Sequence, residues 1–194
     1  MDRLSDAMRT QAVQKPTVAP EVLEQSAEGV YREILAALNS LDTQTAKSLY
    51  AQLEKDYTST KVWTRAKRLG PELQVLGKSA GKLSTTKWLQ GNAKMDDGTV
   101  TLLVFWEKWC PHCRREMPVL EQVYAKYKDR GLNLVGITKG TRGIADDQIK
   151  AFIKEQGVTY PNGKDGLGEL SARFGVRGIP AAVMIRDDEV VWRG

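Results

Sequence analysis

Cys110 and Cys113 are the only cysteines in this 194-residue chain, and they stand in the run Trp106-Glu107-Lys108-Trp109-Cys110-Pro111-His112-Cys113. Two thiols at this spacing can exchange two electrons with a disulfide, and the reactive form of each is the thiolate. The residues before them, Val100 to Trp106 (VTLLVFW), form a continuous apolar run, which predicts a strand buried on both faces of a sheet. After them, Met117, Leu120, Val123, Tyr124 and Tyr127 recur at helical spacing. The pair therefore sits where a strand ends and a helix begins. Free N–H groups and the positive dipole end of a helix stabilise an anion there. Residues three apart on a first helical turn lie about 5–6 Å from each other, within the Cα range that a disulfide accepts. Cys110, at the helix tip, reads as the exposed attacking thiol, and Cys113, one turn in, as the resolving thiol. Lys108, His112, Arg114 and Arg115 add positive charge that favours a thiolate.

Other chemistries fit less well. A zinc site takes about four ligands, whereas this chain offers two cysteines and one histidine in a single tetrapeptide, so a metal would have to be shared between chains. Haem attachment wants histidine directly after the second cysteine, and Arg114 stands there. A structural bridge usually closes a longer loop. His112, the sole histidine, stands between the two redox cysteines, where it can stabilise a Cys110 thiolate. The glycines at 163, 166 and 168 match neither a dinucleotide nor a phosphate loop and read as turns.

Phe105-Trp106-x-x-Trp109-Cys110-x-x-Cys113 followed by Pro118, together with Gly175-Val176-Arg177-Gly178-Ile179-Pro180, resembles the thioredoxin superfamily. The likeness spans roughly residues 74–194 and implies an α/β, thioredoxin-like fold, a mixed central sheet flanked by helices. It also implies a cis Pro180 facing the cysteines, with the Ile179 backbone free to pair with an extended substrate. Between the motifs, Leu132–Thr138 reads as a strand, Asp146–Gln156 as a helix, Val158–Pro161 as a short strand and Gly168–Phe174 as a helix. This added αβ unit is similar to the TlpA and ResA branch of thiol–disulfide proteins. In that branch Glu116 matches an active-site glutamate that relays protons for Cys113. The buried aspartate of cytosolic thioredoxins would fall at Val104. The dipeptide Pro111-His112 is instead that of the oxidising DsbA type, which leaves the direction of electron flow open.

The resemblance makes Cys110, Cys113, His112 and Glu116 catalytic, and gives Trp109, Pro111, Ile179 and Pro180 to the substrate surface. It implies no cofactor beyond the Cys110–Cys113 disulfide, no metal, and as partners protein thiols or disulfides and an upstream redox protein. Further readings are a DsbA- or DsbC-like oxidase or isomerase, and a non-catalytic docking module. The fold also implies a last helix beyond Gly194, so an N-terminal helix is expected to cover the sheet face that this helix would take. Val190-Val191-Trp192-Arg193-Gly194 reads as a hairpin strand whose turn is Asp187-Asp188.

Residues 1–20 are polar, with Pro16 and Pro20, and read as a flexible segment. Residues 21–73 read as an α-helical region. Leu23, Ala27, Val30, Ile34, Leu38 and Leu41 predict one helix, and Ala46, Leu49, Leu53 and Tyr57 a second with Asp42 as N-cap. A third runs from Lys61 to Leu69 and stops at Gly70-Pro71. Such short helices need an apolar face to dock on, either this chain's own sheet or a second copy, which makes residues 21–73 a candidate oligomeriser. The net charge of +5 falls wholly after residue 75, since the first 75 residues carry ten basic and ten acidic side chains. No basic cluster interleaved with aromatics points to nucleic acid. No segment approaches the ~20 apolar residues of a membrane span, so the chain as given reads as soluble. The resemblance implies a signal or anchor ahead of it, and a periplasmic or cell-envelope location.

Overall fold

The structure is a computed structural model that describes residues 19–93 and 99–194. The expected flexible segment 1–20 lies outside the described residues save its last two, and Pro20 already opens a helix. Helices α1 (Pro20–Asn39), α2 (Thr43–Asp56), α3 (Lys61–Ala66) and α4 (Gly70–Val75) come first, with a 3-10 turn at Lys67–Leu69. Then follow β1 (Lys87–Gln90), β2 (Val100–Phe105), α5 (Pro111–Tyr127), β3 (Leu132–Thr138), α6 (Asp146–Glu155), β4 (Asn162–Lys164), α7 (Glu169–Arg173), β5 (Ala181–Arg186) and β6 (Glu189–Arg193). The strands form a mixed sheet in the order β1-β4-β3-β2-β5-β6. β2, β3 and β4 run parallel, while β1, β5 and β6 pair antiparallel.

Because side chains alternate along a strand, the apolar run of β2 feeds two cores. Leu103 and Phe105 join Val135, Ile137, Val183 and Ile185 on one face. Leu102 and Val104 join Leu134 on the other, under Met117 of α5 and Ile149, Phe152 and Ile153 of α6. The first face is covered by α7 and by the N-terminal helices, through Ala37 of α1, Ala46 of α2, and Leu73, Val75 and Leu76 in and just after α4. An N-terminal helical cover is thus present. The outer faces of α1, α2 and α3 close on their own small core of Ala27, Ile34, Leu53, Val62 and Ala66. Asp42 caps α2 as expected, accepting the Thr45 N–H at 3.1 Å. Residues 77–80 then pair along the outer edge of β6, through Gly77 N–H to Val190 O at 2.8 Å and Ala80 N–H to Asp188 O at 2.7 Å. That contact leaves less of the edge strand open.

Three local expectations need correction. Gly70-Pro71 does not merely stop α3; Pro71 lies in the first turn of α4, where a missing N–H costs nothing. The short strand is Asn162–Lys164 rather than Val158–Pro161, because Val158 and Tyr160 turn inward to the α5–α6 core while Pro161 brings no donor to a ladder. Gly163 is part of that strand, not a turn, and it is glycine because a Cβ there would lie 2.5 Å from Thr85 Cγ2. β1 carried no sequence signal that singled it out. The Asp187-Asp188 turn is as expected, with positive φ of 51° and 62° suited to a tight hairpin.

Leu76, 2 % exposed, packs in the core that joins the helices to the sheet. Leu76→Ala is expected to cost about 2–5 kcal/mol in one urea transition. Separate transitions by circular dichroism and tryptophan fluorescence would mean that the helices fold as an independent unit. At the start of α6, Asp146 takes Lys164 Nζ at 2.6 Å and Lys87 Nζ at 2.9 Å, and these bonds lower its carboxyl to about 2. A depressed carboxyl stabilises the fold above its unfolded value and loses that contribution as pH falls. The clamp from α6 to β1 and β4 should therefore hold down to about pH 4 and release between there and about pH 2. A carboxyl-carbon NMR titration of Asp146 checks this, and an ordinary midpoint would count against the clamp.

Candidate active site

The end of β2 delivers the sulfur. Trp106 N–H still reaches Ile137 O at 2.9 Å, after which the chain turns, with Cys110 N–H on Glu107 O at 3.0 Å. Cys110 is extended, with φ −84° and ψ 112°, and is the N-cap of α5. Its Sγ accepts the Cys113 N–H at 3.2 Å, as an N-cap side chain should. Pro111 then fills the first helical position without wasting a donor. Cys110 and Cys113 are joined as a disulfide, their Cα atoms 5.3 Å apart.

Cys110 is not the exposed thiol that its place at a helix tip suggests: it is 3 % exposed, and Cys113 is 2 % exposed. The cover comes from across the sheet. The Ile179–Pro180 bond is cis, and the Ile179 carbonyl oxygen lies 3.9 Å from Cys110 Sγ. The segment leading to it is held where it leaves α7. Arg193 of β6 donates to Phe174 O at 3.0 Å and Gly175 O at 2.7 Å. Buried Asp165 accepts the Leu170 and Ser171 N–H groups at 3.1 and 2.9 Å, which caps α7. Between this segment and α5 runs a groove of about 430 Å³, lined by Trp109, Cys110, Pro111, His112 and Ile179. Pro111, at this groove, is exposed, as is Pro180 next to Ile179.

His112 is exposed, and its Nδ1 takes a hydrogen bond from Arg115 Nη2 at 2.6 Å. A guanidinium can only donate, so the proton of the neutral imidazole sits on Nε2. Glu116 lies on the exposed side of α5 and makes no hydrogen bond or ion pair among the described residues. The carboxylate that lines the groove is another one. Glu107 is 5 % exposed and accepts the backbone N–H groups of Lys139 at 3.0 Å and Thr141 at 3.2 Å. Sequence reasoning passed it over; the signal was an acid set directly behind an apolar strand. Trp109 Nε1 donates to Thr141 Oγ1 at 2.9 Å, and the Arg142 guanidinium lies 3.6 Å over its ring. Behind the site, Trp106 Nε1 donates to Asn162 Oδ1 at 3.0 Å, in space left by Gly136 of β3.

Among the described residues no group of three or more histidine, cysteine, aspartate or glutamate side chains could hold a metal. The arrangement suits dithiol–disulfide exchange through a sulfur at a helix N-terminus, opposite an available peptide edge.

The profile of the AhpC/TSA family matches residues 77–193. The chain belongs to that family. Among curated family relatives, the thiol–disulfide oxidoreductase ResA of Bacillus thuringiensis subsp. konkukian is 29% identical over 119 residues, 60% of this chain and 67% of the relative. The sporulation thiol–disulfide oxidoreductase A of Bacillus subtilis is 28% identical over 90 residues, 46% of this chain and 54% of that protein. The solved thioredoxin domain of a thiol–disulfide oxidoreductase from Bacteroides vulgatus shares the family fold. It covers 61% of this chain and 86% of its own, with TM-score 0.52 and 23% identity. A thioredoxin-like protein solved in its oxidised form covers 61% of this chain and 84% of its own, with TM-score 0.56 and 23% identity.

A Cβ at Gly136 would lie 2.9 Å from Trp106 Nε1 and drive into the Asn162 side chain. Gly136→Ala should therefore break the Trp106–Asn162 bond and destabilise the fold by about 1–3 kcal/mol. The urea midpoint and the tryptophan emission spectrum measure both, and an unchanged midpoint would show that the site can give way.

Proposed function

We propose that this thiol–disulfide oxidoreductase is a TlpA-like reductase of protein disulfides, working in the cell envelope with electrons from an upstream redox protein. The observation that carries the reading is the Cys110 sulfur at the N-terminus of α5, opening on a groove that Ile179 also lines. The Cys110 thiolate attacks one sulfur of the substrate disulfide, and the other sulfur leaves as a thiolate and takes a proton. Cys113 then attacks Cys110 in the mixed disulfide and releases the second substrate thiol, so two electrons pass to the substrate.

The positive end of α5 favours the Cys110 thiolate, and His112 offers it the Nε2–H left free by Arg115. We assign Glu116 to proton exchange with solvent as Cys113 is oxidised or reduced. Trp109 and Pro111 form the surface on which the substrate lies. Ile179, whose N–H makes no hydrogen bond among the described residues, pairs with the substrate backbone beside Pro180 as an added strand does. No metal or further cofactor enters the cycle. Residues 21–73 cover the sheet of residues 74–194 through the apolar faces that they bury within the chain.

No helix of the described residues is long and apolar enough to cross a membrane. An envelope location therefore rests on the likeness to the TlpA and ResA branch.

Two measurements test the reading. Cys113→Ser should accumulate the mixed disulfide on Cys110, visible by mass spectrometry, while Cys110→Ser should form none. The Cys110–Cys113 couple, equilibrated in glutathione buffers, should sit near or below about −250 mV. A value nearer −120 to −180 mV would instead make the protein a disulfide donor or isomerase.

A further inference from the structure

The loop of residues 139–143 (Lys139-Gly140-Thr141-Arg142-Gly143) is tied to the redox centre more tightly than a connection from β3 to α6 requires. The Glu107 carboxylate takes two of its backbone N–H groups, at Lys139 and Thr141. Trp109 holds it from the other side, through Thr141 Oγ1 and under the Arg142 guanidinium. Arg142 is kept in the left-handed region, with φ 62°, which is uncommon for a residue with a side chain. Glu107 and Trp109 are part of the turn that carries Cys110, so the loop's side chains keep a set position at the groove.

Those side chains are basic. Lys139 lines the groove, Arg142 lies on the Trp109 that lines it, and Arg177 lines the opposite wall. All three are exposed, and none has an acidic partner among the described residues. Glu107 is the one carboxylate among the groove's lining residues, and both of its oxygens face backbone N–H groups rather than the mouth. The excess charge of the whole chain also falls on this part of it.

We propose that Lys139, Arg142 and Arg177 form an anionic-peptide subsite beside Cys110, selecting disulfides whose flanking residues are aspartate or glutamate. The proposal rests on the reductase reading above and names its substrate class. Cationic groups around a cleft raise the rate of encounter with an anionic partner and lose that effect in salt. The chemistry is unchanged: two electrons leave the Cys110–Cys113 dithiol and reduce the peptide disulfide to two thiols.

The test uses the full chain, reduced with a small dithiol that is then removed, in single turnover against three peptide disulfides. These differ only in carrying acidic, neutral or basic residues beside the cysteine. At low ionic strength the acidic peptide should react about tenfold or more faster than the basic one. The ratio should fall below about twofold in 1 M salt, where screening acts within about 3 Å. Arg142→Glu should reverse the order of the acidic and basic peptides, and Arg177→Glu should do the same if the loop variant does not fold. Arg68→Glu makes an equal charge change on the 3-10 turn of the helical region and should leave the ratio as it was. Equal rates for all three peptides would overturn the subsite and leave the reductase reading standing. An Arg68→Glu effect as large as that of Arg142→Glu would overturn it too, by assigning the preference to net charge alone. Failure to reduce any of the three would sink the reductase reading itself.

Discussion

A sulfur atom at the N-cap of α5 is the contact around which the site is arranged. Cys110 Sγ accepts the Cys113 N–H, so the first turn of the helix closes on the atom that does the chemistry. That geometry requires an extended residue to end the turn after β2 and a helix to start at once, and Pro111 meets the second demand. It also places the free N–H groups of the helix around the sulfur, where they favour its anionic form. The position of α5 depends in turn on Met117 and Cys113, the residues it buries fully, packing under the sheet with α6.

The second requirement is that both faces of the sheet be covered, since β2 is apolar on both. α5 and α6 cover one face, and α7 shares the other with α1, α2 and the residues of α4. This cover does more than exclude water. The chain leaving α4 runs along the edge of β6, and β6 supplies Arg193, which holds Phe174 and Gly175. A path of contacts thus leads from the helical region to the segment that faces the cysteines.

Glu107 shows how a buried carboxyl group is satisfied. A carboxylate nine-tenths or more out of solvent is expensive unless hydrogen-bonded, and the turn of residues 139–141 supplies two N–H groups for it. The bond works in both directions. It satisfies the acid, and it holds a basic loop against the mouth of the groove.

Much of this was legible in the residues taken in order. The apolar run of β2, the helical spacing after it, the spacing of Cys110 and Cys113 and the Asp42 cap are all local patterns. They act through hydrogen bonds and burial that any nearby partner can satisfy, so they survive without knowledge of the fold. The bounds of β4, the strand role of Gly163 and the starting role of Pro71 were misplaced, because each depends on which side chain sits across from it. The burial of Cys110 and the strap at Glu107 were invisible for the same reason. Sequence alone determined which atoms can exchange electrons and that they lie at a strand-to-helix junction. Only the tertiary structure decided what covers that sulfur and which charges stand at the groove, because Ile179 meets Cys110, and Lys139 and Arg177 come to the same groove, through space, across strands and loops far apart in the chain.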